Sequence, residues 1–535
     1  MIAQTAARRW PDWRRVAFWG VIVLGAALRL VALGRVPAGL NADEASSGIE
    51  ALSLIQTGMD RWGNPWPIWF PAWGSGMNPL FTYLAIPAVA LFGLKVVTIR
   101  AVGAVFGVLT LPVTYLATRQ YFSRGVALAT MALLAVLPWH VMSSRWALDS
   151  NLAPFCFTLG LFTIGKALDA GGRWPMLAFL PWAIALYAYP VVALPVGVSG
   201  LMIVILFRRK LAAHGSAWGI GILLALLLDL PFLLFLAKNQ LRLGRLPLEG
   251  ILPFSIPVLP ATRLSQIHQS PATTIFDNLT FILGAYRDGL TWHQSVFFLP
   301  LTGAMPFLTL LGAAALGVRQ VKARQPHVVL IVLASAIAPI CLLPLHLTRF
   351  NWFYIPSLMV AAYLIVEFGP AGMPAWAKRV TLSAAALYFA LFTLLFAPYY
   401  FFRYNDEILG LDRNLGNGFR VGLEDALKAE LAIAKPDDPV FVDIGGVHPY
   451  LYVLFFGLAD IKSFQNTRQL RIEDGVYRIS RFDRFVFEHE ALPRDRGFAF
   501  VSRSDRLPCL NPDIADNGPL WTVGRCAAPE APPGR

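Results

Sequence analysis

Apolar runs long enough to cross a lipid bilayer recur along the first 397 residues of this chain, and short clusters of Lys and Arg separate them. A spanning helix needs roughly 20 mostly apolar residues to bridge the hydrocarbon layer. Runs that fit lie at 16–33, 97–118, 125–142, 151–168, 174–190, 191–207, 215–237, 295–318, 327–345, 352–368 and 380–397. Of 535 residues, 56% are hydrophobic and only 14% are charged, against about 25% charged in a soluble domain. The chain therefore reads as a mainly α, polytopic membrane protein. Its net charge of +13 would raise nucleic acid as a partner in a soluble protein. Here the basic residues fall between apolar runs, as the positive-inside rule arranges them, and no nucleic-acid partner is expected.

Parity decides the topology. Residues 79–94 are apolar but short, and are expected to form a shallow or re-entrant helix. Counted as a full span, they would switch the basic clusters from Arg119 to Lys322 to the outer side, against that rule. About eleven spans plus one shallow helix follow. The basic start, Arg8, Arg9, Arg14 and Arg15, resembles that of a signal peptide. The apolar run behind it is too long and lacks a small-residue cleavage site, so a retained first helix is expected.

This topology makes 35–78 and 238–294 external loops of a transmembrane domain spanning 1–397. In the first loop, Ile49, Leu52 and Ile55 stand at helical spacing, as in an amphipathic helix lying on the interface. Trp62, Trp66, Trp69 and Trp73 suit an aromatic belt. The second loop carries Arg242, Arg245, Arg263, His268 and Arg287, and loops of such length are usually functional. Residues 398–535 have soluble composition and read as a small extracytoplasmic α/β domain, with an amphipathic helix over 419–434 and a buried strand at 439–443. An oxidising compartment would permit a Cys509–Cys526 bridge. Four cysteines show no metal-ligand spacing. No internal repeat is evident.

Two acidic motifs fall on the external side. Asn41-Ala42-Asp43-Glu44 opens the first loop's helix, where acids also serve as ordinary caps. Ser144-Arg145-Trp146-Ala147-Leu148-Asp149-Ser150 follows a later span, and Arg145 and Asp149 are spaced to pair on one helical turn. Two acidic clusters flanking an Arg-bearing segment exceed what packing requires. Arg100, near the outer end of its span, either snorkels to headgroups or anchors a lipid phosphate. Arg349, beside His346 and the aromatics Phe350, Trp352 and Phe353, invites the same two readings. Tyr187 and Tyr189 are belt residues or a wall on which a sugar stacks.

In order and in wording, these motifs resemble the polytopic glycosyltransferases of the GT-C superfamily, especially protein O-mannosyltransferases and lipid A aminoarabinose transferases. The resemblance rests on Asn41–Glu44, on Met77-Asn78-Pro79-Leu80, on Thr98-Ile99-Arg100-Ala101-Val102-Gly103, on the Ser144–Ser150 run, and on Thr348-Arg349-Phe350 with Pro356. It covers roughly residues 16–200, and the later spans in pattern. Asn78 stands where the family often carries a basic residue or histidine. The resemblance implies a polyprenyl-phosphate-linked sugar as donor and a lipid, glycan or protein acceptor on the outer face of the cell's inner (plasma) membrane. It also implies inversion at the anomeric carbon, with a divalent metal left open. Asp43 would be the general base, with Glu44 and Asp149 beside it. Arg100, Arg145, Arg349 and Asn78 would hold the donor phosphate, and Tyr187, Tyr189 and His346 would line the pocket.

A transporter or lipid flippase is the competing class. Its substrate path should carry charges at mid-span, and only Asp229 and Glu367 come near, both close to helix ends. An oligosaccharyl transferase or ligase of the same fold is the other alternative.

Overall fold

The computed structural model describes residues 12–72, 76–243, 251–259, 270–288, 294–415, 418–446, 448–473, 476–492 and 495–527. The expectations on Arg8, Arg9, Trp73, Arg245, Arg263 and His268 lie outside these residues.

The first half of the helical part is built from α1 (Asp12–Leu30), α2 (Ala42–Thr57), α3 (Pro79–Phe92), α4 (Val96–Tyr121), α5 (Arg124–Val136), α6 (Pro138–Ser144) and α7 (Ala153–Ala170). Among the described residues, five helices are long and apolar enough to cross a membrane, or six if α5 and α6 count as one bent span. The four besides α4 are Asp149–Ala170, Gly215–Gln240, Asn351–Gly372 and Ala375–Phe402. Other expected spans fold as shorter apolar helices, such as Trp174–Ala188, Pro190–Leu206 and Val328–Leu342. At 1.5 Å per residue, α3 is about 21 Å long, short of the roughly 30 Å hydrocarbon layer.

The 61° bend between α5 and α6 has a local cause. Pro138 brings no N–H, and its ring pushes Leu137 out of the helical region, to φ −67, ψ 127. The bend turns Ser144 and Arg145 back against α4. Contact there is close enough that a Cβ at Gly107 would stand 2.2 Å from Ser144 Oγ, so glycine is the residue that fits.

Helix α2 departs from expectation. It does not lie amphipathically on an interface, since its residues Glu44–Ala51 are all buried, packed against α3 and the helix Tyr450–Phe455. The tryptophans behind it are likewise not a simple belt. Trp69 is buried and stacks on Phe235 at 4.6 Å, while Trp62 stacks on Tyr477 at 4.9 Å. The apolar pattern was legible, but its burial comes from a domain distant in sequence.

That domain follows the last long helix, which runs to Phe402. Its seven strands are β1 (Val440–Asp443), β2 (Gln469–Glu473), β3 (Val476–Phe482), β4 (Phe485–Val486), β5 (Phe498–Arg503), β6 (Asp513–Asn517) and β7 (Trp521–Cys526). They form one sheet in the order β2-β3-β4-β1-β5-β7-β6. Strand β1 runs parallel to β4 and β5, and the remaining pairs are antiparallel. The helix Leu423–Ile433 lies in the expected amphipathic stretch and packs on β5 and β7. Cys509 and Cys526 form a disulfide.

Glu430, on that helix, is fully buried, and among the described residues neither carboxyl oxygen completes a hydrogen bond. Burial holds its carboxyl well above the ordinary carboxylate range, with the Val501 backbone and Arg484 opposing that shift less strongly. Because the folded-state value is raised, the group costs nothing below the unfolded value, and stability is lost as pH rises through the ordinary carboxylate range. Glu430→Met is therefore expected to raise hydrogen-exchange protection over 423–433 and 498–503 of the full-length protein at pH 8. The gain should be about 1–3 kcal/mol and should shrink at pH 4. Lower protection at pH 8 would contradict this account.

Candidate active site

The site is built outward from the first turn of α2. Asn41 caps the helix, its Oδ1 accepting from Asp43 N at 2.9 Å, while Glu44 Oε2 accepts from Asn41 N at 3.1 Å. This reciprocal box satisfies backbone donors that a helix start leaves open. It also sets the two carboxylates apart. Asp43 is half-buried, whereas Glu44 is fully buried and meets Arg100 in a two-pronged ion pair, Nε–Oε1 2.7 Å and Nη2–Oε2 2.8 Å.

Arg100, expected to clamp the donor phosphate, turns its donors onto the protein. Beyond Glu44 it donates to Pro37 O at 2.6 Å and Gly39 O at 2.9 Å, and its side chain is wholly buried. Arg145, the second expected clamp, is also fully buried. It donates to Val36 O at 2.8 Å and Leu28 O at 3.2 Å and lies over the Phe401 ring at 5.1 Å. Both arginines therefore catch carbonyls of the linker that leads from α1 to Asp43. Guanidinium groups suit that task because their forked donors satisfy several carbonyls at once.

The second acidic motif is joined to the first. Ala147 N donates to Glu44 Oε1 at 3.1 Å. Asp149 Oδ2 accepts from Asn78 N at 2.9 Å and from Asn78 Nδ2 at 2.6 Å. Asn78, expected at the donor phosphate, is buried here as a clamp on Asp149. Among the described residues its buried Oδ1 finds no hydrogen-bond partner. One residue on, Ser150 O accepts from Asn351 Nδ2 at 2.8 Å. This bond ties the motif to the segment carrying His346 and Arg349.

Arg349 differs from the other two arginines. It is half-buried, and among the described residues its guanidinium makes one hydrogen bond, to Pro344 O at 2.8 Å. The loop beneath it is pinned by Asn278, which donates to Ile340 O and Leu343 O, and by Asp288, which accepts from Leu347 N at 2.8 Å. His346 Nδ1 meets Thr348 Oγ1 at 2.9 Å. Tyr187 lines a cleft of about 450 Å³ with Trp66, Pro79, Tyr83, Leu228 and Phe254, while Tyr189 is buried. Among the described residues no group of three or more His, Cys, Asp or Glu stands ready to hold a metal ion.

Comparison with known proteins supplies the frame for this geometry. Residues 76–235 match the protein family described as dolichyl-phosphate-mannose-protein mannosyltransferase. No curated protein sequence matches the chain. The structure is similar to that of ArnT from Cupriavidus metallidurans bound to undecaprenyl phosphate, at 13% identity and a TM-score of 0.57, covering 98% of this chain and 99% of that one. An oligosaccharyltransferase from Archaeoglobus fulgidus, tethered to an acceptor peptide, matches at 13% identity and a TM-score of 0.50, over 83% of this chain and 63% of its own. This is the GT-C fold. The chain is accordingly a multi-pass membrane protein.

Sequence reasoning missed several residues that hold this GT-C site together. Arg29 is fully buried and donates to Gly25 O, Ala135 O and Leu134 O, with His140 Nδ1 at 2.6 Å. A charge inside the first apolar run was the available signal. Asn351 sits two residues past the Arg349 motif. Glu50 and Arg61 form a second buried ion pair at 3.3 Å, and burial pushes the Glu50 carboxyl up to about 8 against the pull of Arg61.

Removing one member of a buried ion pair strands the other, at a cost of about 3–5 kcal/mol. Arg100→Ala and Glu44→Ala are each expected to destabilise the purified protein by that amount. The Glu44→Ala/Arg100→Ala double variant should lose much less than the sum of the two. Additive losses in this thermal-unfolding double-mutant cycle would show that the pair is not coupled.

Proposed function

We propose that this protein is an integral-membrane glycosyltransferase that moves one sugar from a polyprenyl monophosphate to an acceptor hydroxyl on the extracytoplasmic face. The acceptor oxygen attacks the anomeric carbon and the bond to the phosphate oxygen breaks. The polyprenyl phosphate departs with the electron pair, and the hydroxyl proton passes to Asp43. Attack opposite the leaving group inverts the anomeric centre. A carboxylate within about 3 Å of the attacking hydroxyl serves as general base.

The observation that carries this reading is the division of labour between adjacent carboxylates. Glu44 is engaged by Arg100, Asn41 and Ala147, and so fixes the first turn of α2. Asp43, next in line, is the half-buried one. Asp149, held by Asn78, is assigned to orienting the acceptor. Arg349 is assigned to the leaving phosphate because, among the described residues, most of its donors remain open, with His346 beside it. The aromatic cleft that begins at Pro79, with Tyr187 on its wall, suits a polyprenyl chain. The family match over 76–235 and the fold shared with an undecaprenyl-phosphate-bound ArnT support a lipid-phosphate carrier. The Cys509–Cys526 disulfide supports an outward-facing sheet domain, since such bridges persist in oxidising compartments.

The archaeal oligosaccharyltransferase gives a second reading some support through its shared fold. Carrier lipids in cells lacking the protein separate the two: a monophosphate-linked sugar accumulates under the first reading, a diphosphate-linked glycan under the second.

Asp43→Asn tests the base directly. Asn41, not Asp43, caps the helix, and asparagine keeps the size of aspartate, so folding and donor binding should stay near normal. Transfer should fall on the order of 10²–10⁴-fold. A folded Asp43→Asn protein with normal turnover would overturn the assignment.

A further inference from the structure

A second cavity, of about 520 Å³, opens where the helical part meets the sheet domain. On one side it is walled by Leu52 of α2 and by the turn from Leu94 to Val97 that leads into α4; on the other stand Glu424 and the turn 454–457. Its volume falls within the roughly 300–1,000 Å³ of small-molecule sites.

Two charges face this space. Lys95 immediately precedes α4, one of the helices apolar enough to cross a membrane. Its side chain is exposed and, among the described residues, makes no hydrogen bond or ion pair. Opposite, Glu424 pairs with Lys428 through Oε1, which leaves Oε2 to accept another donor. Near Lys95 in sequence stand exposed apolar side chains, Leu91 76%, Phe92 67% and Val97 46%.

We propose that this cavity binds an aminophospholipid, with its phosphate on Lys95, its primary ammonium on Glu424, and its acyl chains over Leu91, Phe92 and Val97. A lysine at the end of a spanning helix reaches any headgroup by snorkelling. The wall formed by Glu424 and the 454–457 turn adds selectivity. A net-anionic headgroup would bring like charge to the Glu424 carboxylate, and a quaternary ammonium has no N–H to donate to it. A zwitterion with a primary ammonium satisfies both walls, through charge-assisted hydrogen bonds. The lipid then forms part of the joint between α4 and the sheet domain. This proposal stands apart from the transfer reaction and does not depend on it.

The test is native mass spectrometry of the full-length protein after reconstitution in equal parts phosphatidylethanolamine, phosphatidylcholine and phosphatidylglycerol. Phosphatidylethanolamine should be retained about tenfold over each of the others, the ratio that about 1.4 kcal/mol of selective binding gives. Lys95→Ala should abolish that excess, and so should Val97→Trp, which fills the cavity from a partly exposed position. Glu424→Gln should let phosphatidylglycerol compete equally. Equal retention of the three lipids, a preference for phosphatidylglycerol, or an excess that survives both Lys95→Ala and Val97→Trp would overturn the proposal.

Discussion

The bidentate pair between Glu44 and Arg100 is the interaction on which the rest of the site depends. Two full charges are removed from water in a chain with few charges to spare, and such a pair persists only when every remaining donor and acceptor is satisfied. Here backbone groups supply most of that satisfaction. Glu44 also takes the backbone N–H groups of Asn41 and Ala147, and Arg100 also takes the carbonyls of Pro37 and Gly39. A single salt bridge thereby fixes the linker after α1, the start of α2 and the turn before Asp149. The proposed catalytic carboxylate is the residue adjacent to this fixed point, so its position is set by a neighbour held in an ion pair.

The sheet domain extends the same frame. Leu40 N donates to Phe419 O, and Asn41 Nδ2 donates to Gly418 O at 3.2 Å. Gly39 has φ +74, and a Cβ there would collide with Phe419 O. Farther along, Gln465 donates to Asp60 O at 2.9 Å, and the Arg468 guanidinium lies over the Trp62 ring at 5.8 Å. The loop between α1 and α3 is thus held between the helical part and the sheet domain. Rigid support of this kind is what a general base needs if it is to meet a hydroxyl in a narrow range of geometry.

Much of this was legible in sequence, because hydrophobic periodicity and charge clustering are properties of local stretches. The helical runs, the short α3 and the change in composition beyond 397 were readable in that way, whereas the 125–142 run was read straight through the bend at Pro138. The acidic motifs at 43–44 and 144–150 were found, and the structure joins them through Ala147 and Glu44. Partnership was not legible. Arg100, Arg145 and Asn78 carry the residue types of a phosphate site, yet each finds its acceptor among buried protein groups. A guanidinium spacing looks the same whether its partner is a lipid phosphate or the carbonyl of Pro37. Helix α2 shows the same limit, since its amphipathic pattern does not reveal that Tyr450–Phe455 covers it.

The most direct test of the account is a structure of the protein with a polyprenyl monophosphate bound. The phosphate is expected at the Arg349 guanidinium, on the Asp43 side of the site, with the Glu44–Arg100 pair unbroken. A phosphate held by Arg100, with Glu44 displaced from it, would contradict the account.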